Sequence, residues 1–118
     1  MSDIRKYEIS VPEGMPGSEL FNPLIEGNAL LFEPSVMGKY GTDQRYEYLA
    51  DSFKTTGGTY DPVSHSGVCG YVVCIRYFEG CRCADETFQA DGTVDYQYNP
   101  GRQTLSFSLD ETLWEVQN

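Results

Sequence analysis

Three of the four cysteines fall within YVVCIRYFEGCRC, Tyr71 to Cys83, and the fourth, Cys69, stands just before it. Thiols can bridge, bind metal, carry redox chemistry or fill a core, and their spacing separates these uses. Here the spacings are C-x4-C, C-x6-C and C-x-C, and none is the C-x2-C knuckle that holds two thiolates on one turn for tetrahedral zinc. A zinc site would need Cys81 and Cys83 with Cys74 or His65. Neither a C-x-x-C pair nor a helix N-terminus adjoins any of these thiols to lower its pKa, which argues against redox catalysis. With Glu79-Gly80 as a two-residue hairpin loop, Phe78 faces Cys81 and Arg76 faces Cys83. With a bulge at Gly80, Tyr77 faces Cys81 and Ile75 faces Cys83. Neither register sets two cysteines opposite each other, and residues two apart on one strand lie near or beyond bridging distance. The expectation is therefore buried, reduced thiols. A disulfide requires a different hairpin, or Cys69 reaching back from an irregular segment.

His65 is the only histidine, in DPVSHSG beside Asp61, Ser64 and Ser66. A Ser-His-Asp or Cys-His arrangement would have to pass through it, since imidazole is the usual base at neutral pH. Such roles demand convergence from separate elements, so this stretch reads as a polar surface loop. The doublets Asp85-Glu86 and Asp110-Glu111 point to opposite faces of a regular strand and make no facing acid/base pair. QADGTVD supplies Asp91 and Asp95 without the rest of a calcium-loop ladder, and no glycine-rich phosphate loop is present. No catalytic residue, metal ligand or cofactor is assigned, and the chain reads as non-enzymatic.

The elements that would position a site are next. A length of 118 residues suits one domain over 1–118, and the 14% aromatic share supplies large rings for its core. Eight basic against 18 acidic residues give a net charge of -10, with no basic stripe to neutralise phosphates, so ordinary nucleic-acid binding is disfavoured and no nucleic-acid partner is expected. The opening MSDIRKYEIS has no apolar h-region, and no stretch has the length of a membrane span. The expectation is neither a secretory signal nor a membrane anchor, and a cytoplasmic or virion-associated location.

Prolines and glycines punctuate the first forty residues, leaving strands around Lys6 to Val11 and Ala29 to Phe32, with residues 1–28 otherwise an extended arm. Its apolar Leu20, Phe21, Leu24 and Ile25 should lie on the domain or on a neighbouring subunit. Tyr46, Leu49, Ala50 and Phe53 recur at helical spacing, with Thr42 as a cap and Gly57 as a stop, which predicts a helix over about 43–55. GVCGYVVCIRYF reads as a central strand and TLSFSL as an alternating one with Leu105, Phe107 and Leu109 inward. Asp91-Gly92 reads as a hairpin turn before Val94, Tyr96 and Tyr98, NPGR as the next turn, and ETLWEVQ as a closing strand.

The expected fold is α+β: one helix packed on an antiparallel meander of four or five strands, with an irregular N-terminal arm. Tyr and Trp are favoured at interfaces, so Tyr96, Tyr98 and Trp114 join Leu20, Phe21, Leu24 and Ile25 as interface candidates. The expected function is a structural or protein-interaction subunit of a homo-oligomer or larger assembly, such as a virion-type accessory protein. Its arm and exposed strand edge would dock on identical subunits or another protein. The alternative is an acidic inhibitor or decoy for a basic site on a partner enzyme.

Overall fold

TLSFSL alternates apolar and hydroxyl residues, and it forms a strand, Thr104–Asp110, with Leu105, Phe107 and Leu109 buried on one face. In the computed structural model, which describes residues 3–40, 43–79 and 84–112, that strand is the last of five in one antiparallel sheet. The strands are β1 (Ile4–Ser10), β2 (Tyr46–Asp61), β3 (Ser66–Glu79), β4 (Ala84–Asn99) and β5 (Thr104–Asp110), in spatial order β1-β5-β4-β3-β2. Strands β2 to β5 form a meander, and β1 pairs with β5 from Ile4 opposite Asp110 to Ser10 opposite Thr104. Two short helices, α1 (Ser18–Glu26) and α2 (Glu33–Met37), and two 3-10 turns, Ala29–Phe32 and Gly38–Tyr40, cover one face. Between the layers Phe21, Ile25 and Phe32 meet Val73, Tyr96, Tyr98, Leu105 and Phe107. The Phe32 ring lies 4.9 Å from Phe53, 5.2 Å from Tyr71 and 5.5 Å from Phe107.

The helix expected over 43–55 is instead the first half of β2. Aromatic Tyr46, Tyr48 and Tyr60 and β-branched Thr55, Thr56 and Thr59 suit a pleated strand. A bulge interrupts the strand's alternation here. Between the pairs Leu49–Cys74 and Lys54–Val72, Ala50 to Phe53 on β2 face only Val73 on β3. This breaks the period of two, so Tyr48 and Phe53, an odd number of residues apart, both point into the core. Ser52 mends the ladder there: the Cys74 N–H donates to Ser52 Oγ at 2.7 Å, and that hydroxyl donates to the Leu49 carbonyl at 2.5 Å.

The helical layer comes from the segment read as an arm. Leu20, Phe21, Leu24 and Ile25 recur at one and four, which is one face of a helix. Glu19 sits in the first turn, and the Asn28 side-chain amide donates to the Leu24 carbonyl at the far end, 2.7 Å. Pro23 lacks an N–H for the Glu19 carbonyl, and burial of Phe21 and Ile25 outweighs that lost bond. Pro34 stands in the first turn of α2, where its N–H would have no intrahelical partner. Ala29–Phe32, expected as a strand, is a 3-10 turn that buries Ala29 and Phe32.

Two expected turns also move. Glu79 pairs with Ala84, so the β3–β4 connection is longer than Glu79-Gly80 and contains Cys81 and Cys83, which lie outside the described residues. Asp91 and Gly92 lie inside β4, opposite Val72 and Tyr71. Gly92 is needed for room: a Cβ there would stand 2.7 Å from the Tyr71 hydroxyl oxygen. The β2–β3 and β4–β5 connections fall in DPVSHSG and NPGR as expected. The closing strand ETLWEVQ falls almost entirely outside the described residues, Trp114 included.

Candidate functional site

Cys69 is fully buried in the core, where loss of hydration pushes its thiol up to about 11, and Cys74 is half-buried on the outer face opposite Gln89. Both are free thiols, and among the described residues no group of three or more His, Cys, Asp or Glu could hold a metal ion. His65 occupies the β2–β3 turn with φ 57 and meets the Tyr60 hydroxyl through Nδ1 at 3.2 Å. Ser64 and Ser66 bond each other at 2.7 Å, and Asp61 accepts the Val63 N–H at 2.9 Å, which lowers its carboxyl pKa. Ser, His and Asp are adjacent in this turn without forming a relay.

Of the interface candidates, Phe21 and Ile25 are fully buried, and Tyr96 and Tyr98 nearly so, all in the chain's own core. Leu20 and Leu24 are half-buried against the same cluster. The arm residues thus lie on the domain itself. Phe21 packs on Tyr60, Tyr96 and Tyr98 with ring centroids at 5.1, 5.5 and 5.0 Å. Trp114 lies outside the described residues.

The outer face of the sheet mixes polar side chains with exposed Ile4, Val68 and Phe78. Lys6, Thr59, Asp61, Thr93, Asp95 and Ser106 are among the residues lining a broad open trough of about 980 Å³. No ion pair crosses it among the described residues.

The sheet's least complete part is one side of β4. This strand has 16 residues and its neighbour β5 has seven. They pair only from Tyr96–Phe107 to Asn99–Thr104, whereas β3 pairs with β4 along its whole length. Sixteen residues at about 3.3 Å each span ~53 Å, and the molecule's long axis is 53 Å. The β2–β3–β4 layer therefore extends past the other two strands. Among the described residues, nothing pairs with the β5 side of β4 from Ala84 to Asp95.

The phase of that edge follows from one bond. The Tyr98 N–H donates to the His65 carbonyl at 2.7 Å, so Tyr98 is a hydrogen-bonded partner on the β3 side. In an antiparallel ladder, alternate residues direct both N–H and C=O to the same side. Glu86, Phe88, Ala90, Gly92 and Val94 therefore serve β3. Asp85, Thr87, Gln89, Asp91, Thr93 and Asp95 direct their backbone groups to the open side. All six are exposed, and so are Glu86 and Phe88 between them.

The two faces beside this edge differ. On the outer face, Asp85 is held by Arg76 through two bonds of 2.9 Å, while Asp91 and Asp95 make no ion pair among the described residues. On the inner face, Phe88 is 37% exposed. Its ring lies 6.0 Å from Tyr40 and 6.4 Å from Tyr46, and Tyr46 stacks on Tyr40 at 4.3 Å and meets Tyr77 at 5.0 Å. Arg45 sits over Tyr77 at 5.6 Å and is neutralised by Asp43, whose carboxyl it lowers to about 2.

Sequence reading had flagged an exposed strand edge without placing it. The signal is the proline-free run from Ala84 to Asn99, which the turn-like pair Asp91-Gly92 divides in sequence. No helix among the described residues is long and apolar enough to cross a membrane. Comparison with known proteins finds no match to a family model, a curated protein or a solved structure.

Proposed function

We propose that this chain is a non-enzymatic protein-interaction or structural subunit, which joins a larger assembly by lending the open side of β4 to a strand from another polypeptide. The observation that carries this reading is the stretch from Ala84 to Asp95, which among the described residues has no partner on its β5 side and is exposed on both faces at Asp85 to Gln89. Unpaired edges are templates for added strands, and proteins usually cover or shorten them. The half-exposed rings of Phe88 and Tyr40 beside it offer apolar anchorage of the kind interfaces use. The arm enters this reading as core structure, since Phe21 and Ile25 are buried within the chain.

The second reading, an acidic inhibitor or decoy for a basic site, is favoured by the carboxylates of Asp91 and Asp95 along that edge, which make no ion pair among the described residues. It uses the same surface. The test common to both is a photo-crosslinking residue at Thr87, activated in the cell that makes the protein. One discrete adduct, abolished by Gln89→Pro, is the expected result. The absence of any adduct at the edge, alongside adducts from a probe at Ser108 in the trough, would overturn the edge-based reading.

A further inference from the structure

We infer that the open side of β4 selects a basic, extended partner strand whose residues alternate cationic and apolar, and that it discriminates against a second copy of itself. This rests on the strand-addition reading above and names the chemistry of its partner.

The argument starts from the phase of the ladder. A strand added to β4 bonds to the backbone of Asp85, Thr87, Gln89, Asp91, Thr93 and Asp95, whose side chains are on the outer face. The added residues opposite them place their side chains on that same face, close to Asp91 and Asp95. The alternate residues of the added strand fall on the inner face, beside Phe88 and the half-buried Ala90. Cations on one set and apolar groups on the other therefore match both faces of the edge.

Among the described residues no ion pair reaches Asp91 or Asp95, although Lys6 lines the same trough as Asp95. Arg76 is engaged by Asp85 and Glu47. Lys54 is opposite Val72, which is opposite Asp91, so it stands two strands from Asp91, about 9–10 Å away. Lys39 lines the cleft beside Asp91, with its ammonium over the Tyr40 ring at 5.2 Å and no ion pair among the described residues.

Pairing with a second copy meets the opposite situation. The antiparallel register that uses the whole edge sets Asp95 opposite Asp85, whose carboxylate Arg76 already holds, so among the described residues a second copy brings no uncommitted cation to Asp91 or Asp95. The chain's own last residues, LWEVQN, carry Glu115 and no lysine or arginine, so they lack the same complement.

The test uses three synthetic peptides of about ten residues with the full-length protein. One alternates Arg and Val, one alternates Glu and Val, and one carries the same Arg content among Gly and Ser. Binding is read by fluorescence anisotropy at low and high salt. The Arg-Val peptide should bind about tenfold tighter than the Glu-Val peptide, as two added charge pairs would give, and tighter than the Gly-Ser peptide. Gln89→Pro removes an N–H on the open side and leaves the bonds to β3, so it should keep the circular dichroism spectrum and lose Arg-Val binding. Asp91→Asn with Asp95→Asn should retain binding while erasing the preference for charge.

Equal binding of the Arg-Val and Glu-Val peptides would overturn the basic partner, and so would Arg-Val binding that survives Gln89→Pro. Dimers of the wild type that Gln89→Pro dissolves would show that a second copy is the occupant. A Thr87 crosslink in the cell with no charge preference among the peptides would defeat this inference and leave the strand-addition reading standing. Failure of both experiments would defeat both.

Discussion

Gly92 on β4 lies under the ring of Tyr71 on β3, so close that a Cβ at Gly92 would stand 2.7 Å from the phenolic oxygen and 2.8 Å from the carbon that bears it. The two residues are cross-strand partners, and the Tyr71 ring also stacks on Phe53 at 5.0 Å. Backing the ring away from a new methyl group would push it toward its neighbours in the core.

Gly92→Ala should therefore destabilise the fold by about 1–3 kcal/mol, the usual cost of overpacking. Urea unfolding monitored by tyrosine and tryptophan fluorescence measures it. A variant as stable as the wild type would show that the Tyr71 ring has room to move. Tyr71→Val in the same background should recover part of the loss by freeing that space.

Ser52 carries the β2 bulge, because its hydroxyl replaces a backbone carbonyl as acceptor for the Cys74 N–H. Ser52→Ala leaves that partly buried donor without its partner, at a cost of about 1–3 kcal/mol. The Cys74 amide should also exchange with solvent faster in the variant. An unchanged exchange rate at Cys74 would mean the bulge is held by other contacts.

Removing residues 1–28 deletes β1 and α1, including Phe21 and Ile25 from the core. The expected outcome is loss of the folded state. A single Phe21→Ala should already cost about 3–5 kcal/mol. A folded truncated chain would show that the segment is peripheral after all.

These cases indicate how much the sequence disclosed. Strands with strict alternation, such as Thr104 to Leu109, and the central strand through Val73 and Ile75, were legible because burial on one or both faces sets a simple period. β2 does not show itself as a strand because the bulge at Ala50 to Phe53 breaks the period of two, and Leu49, which lies opposite outward-facing Cys74, completes a helical spacing that the folded strand does not use. α1 was misread because Pro16 and Pro23 look like breakers, whereas apolar burial holds a short helix together around one of them. The open edge was hidden by Asp91-Gly92, since a glycine that makes space for a tyrosine has the same spelling as a hairpin turn. A period of two through Thr87, Gln89, Asp91 and Thr93 was present, but only the register with β5 shows where pairing stops.

Alkaline stability should depend on Cys69, whose thiol is raised from 9.0 to about 11 by burial, with a smaller push from Glu26. A group with a raised folded pKa stabilises the fold fully below its unfolded value and loses that contribution as pH climbs through the folded one. The unfolded thiol releases its proton first, so stability should fall from about pH 9 toward pH 11. Buried tyrosines such as Tyr71 and Tyr96, raised chiefly by desolvation, add the same sign at higher pH. Comparing Cys69→Ala with the wild type isolates the thiol: the variant should show a shallower decline across this range. Parallel pH profiles would contradict it.

The central claim is that, among the described residues, one side of β4 from Ala84 to Asp95 has no partner while the other is fully paired, and amide hydrogen exchange by NMR on the free protein tests it most directly. Backbone amides of Glu86, Phe88, Ala90 and Gly92, which serve β3, should be protected, and those of Thr87, Gln89, Asp91 and Thr93 should exchange rapidly, alternating along the strand. Uniform protection from Thr87 to Thr93 would contradict the account, because it would mean that the edge is already covered.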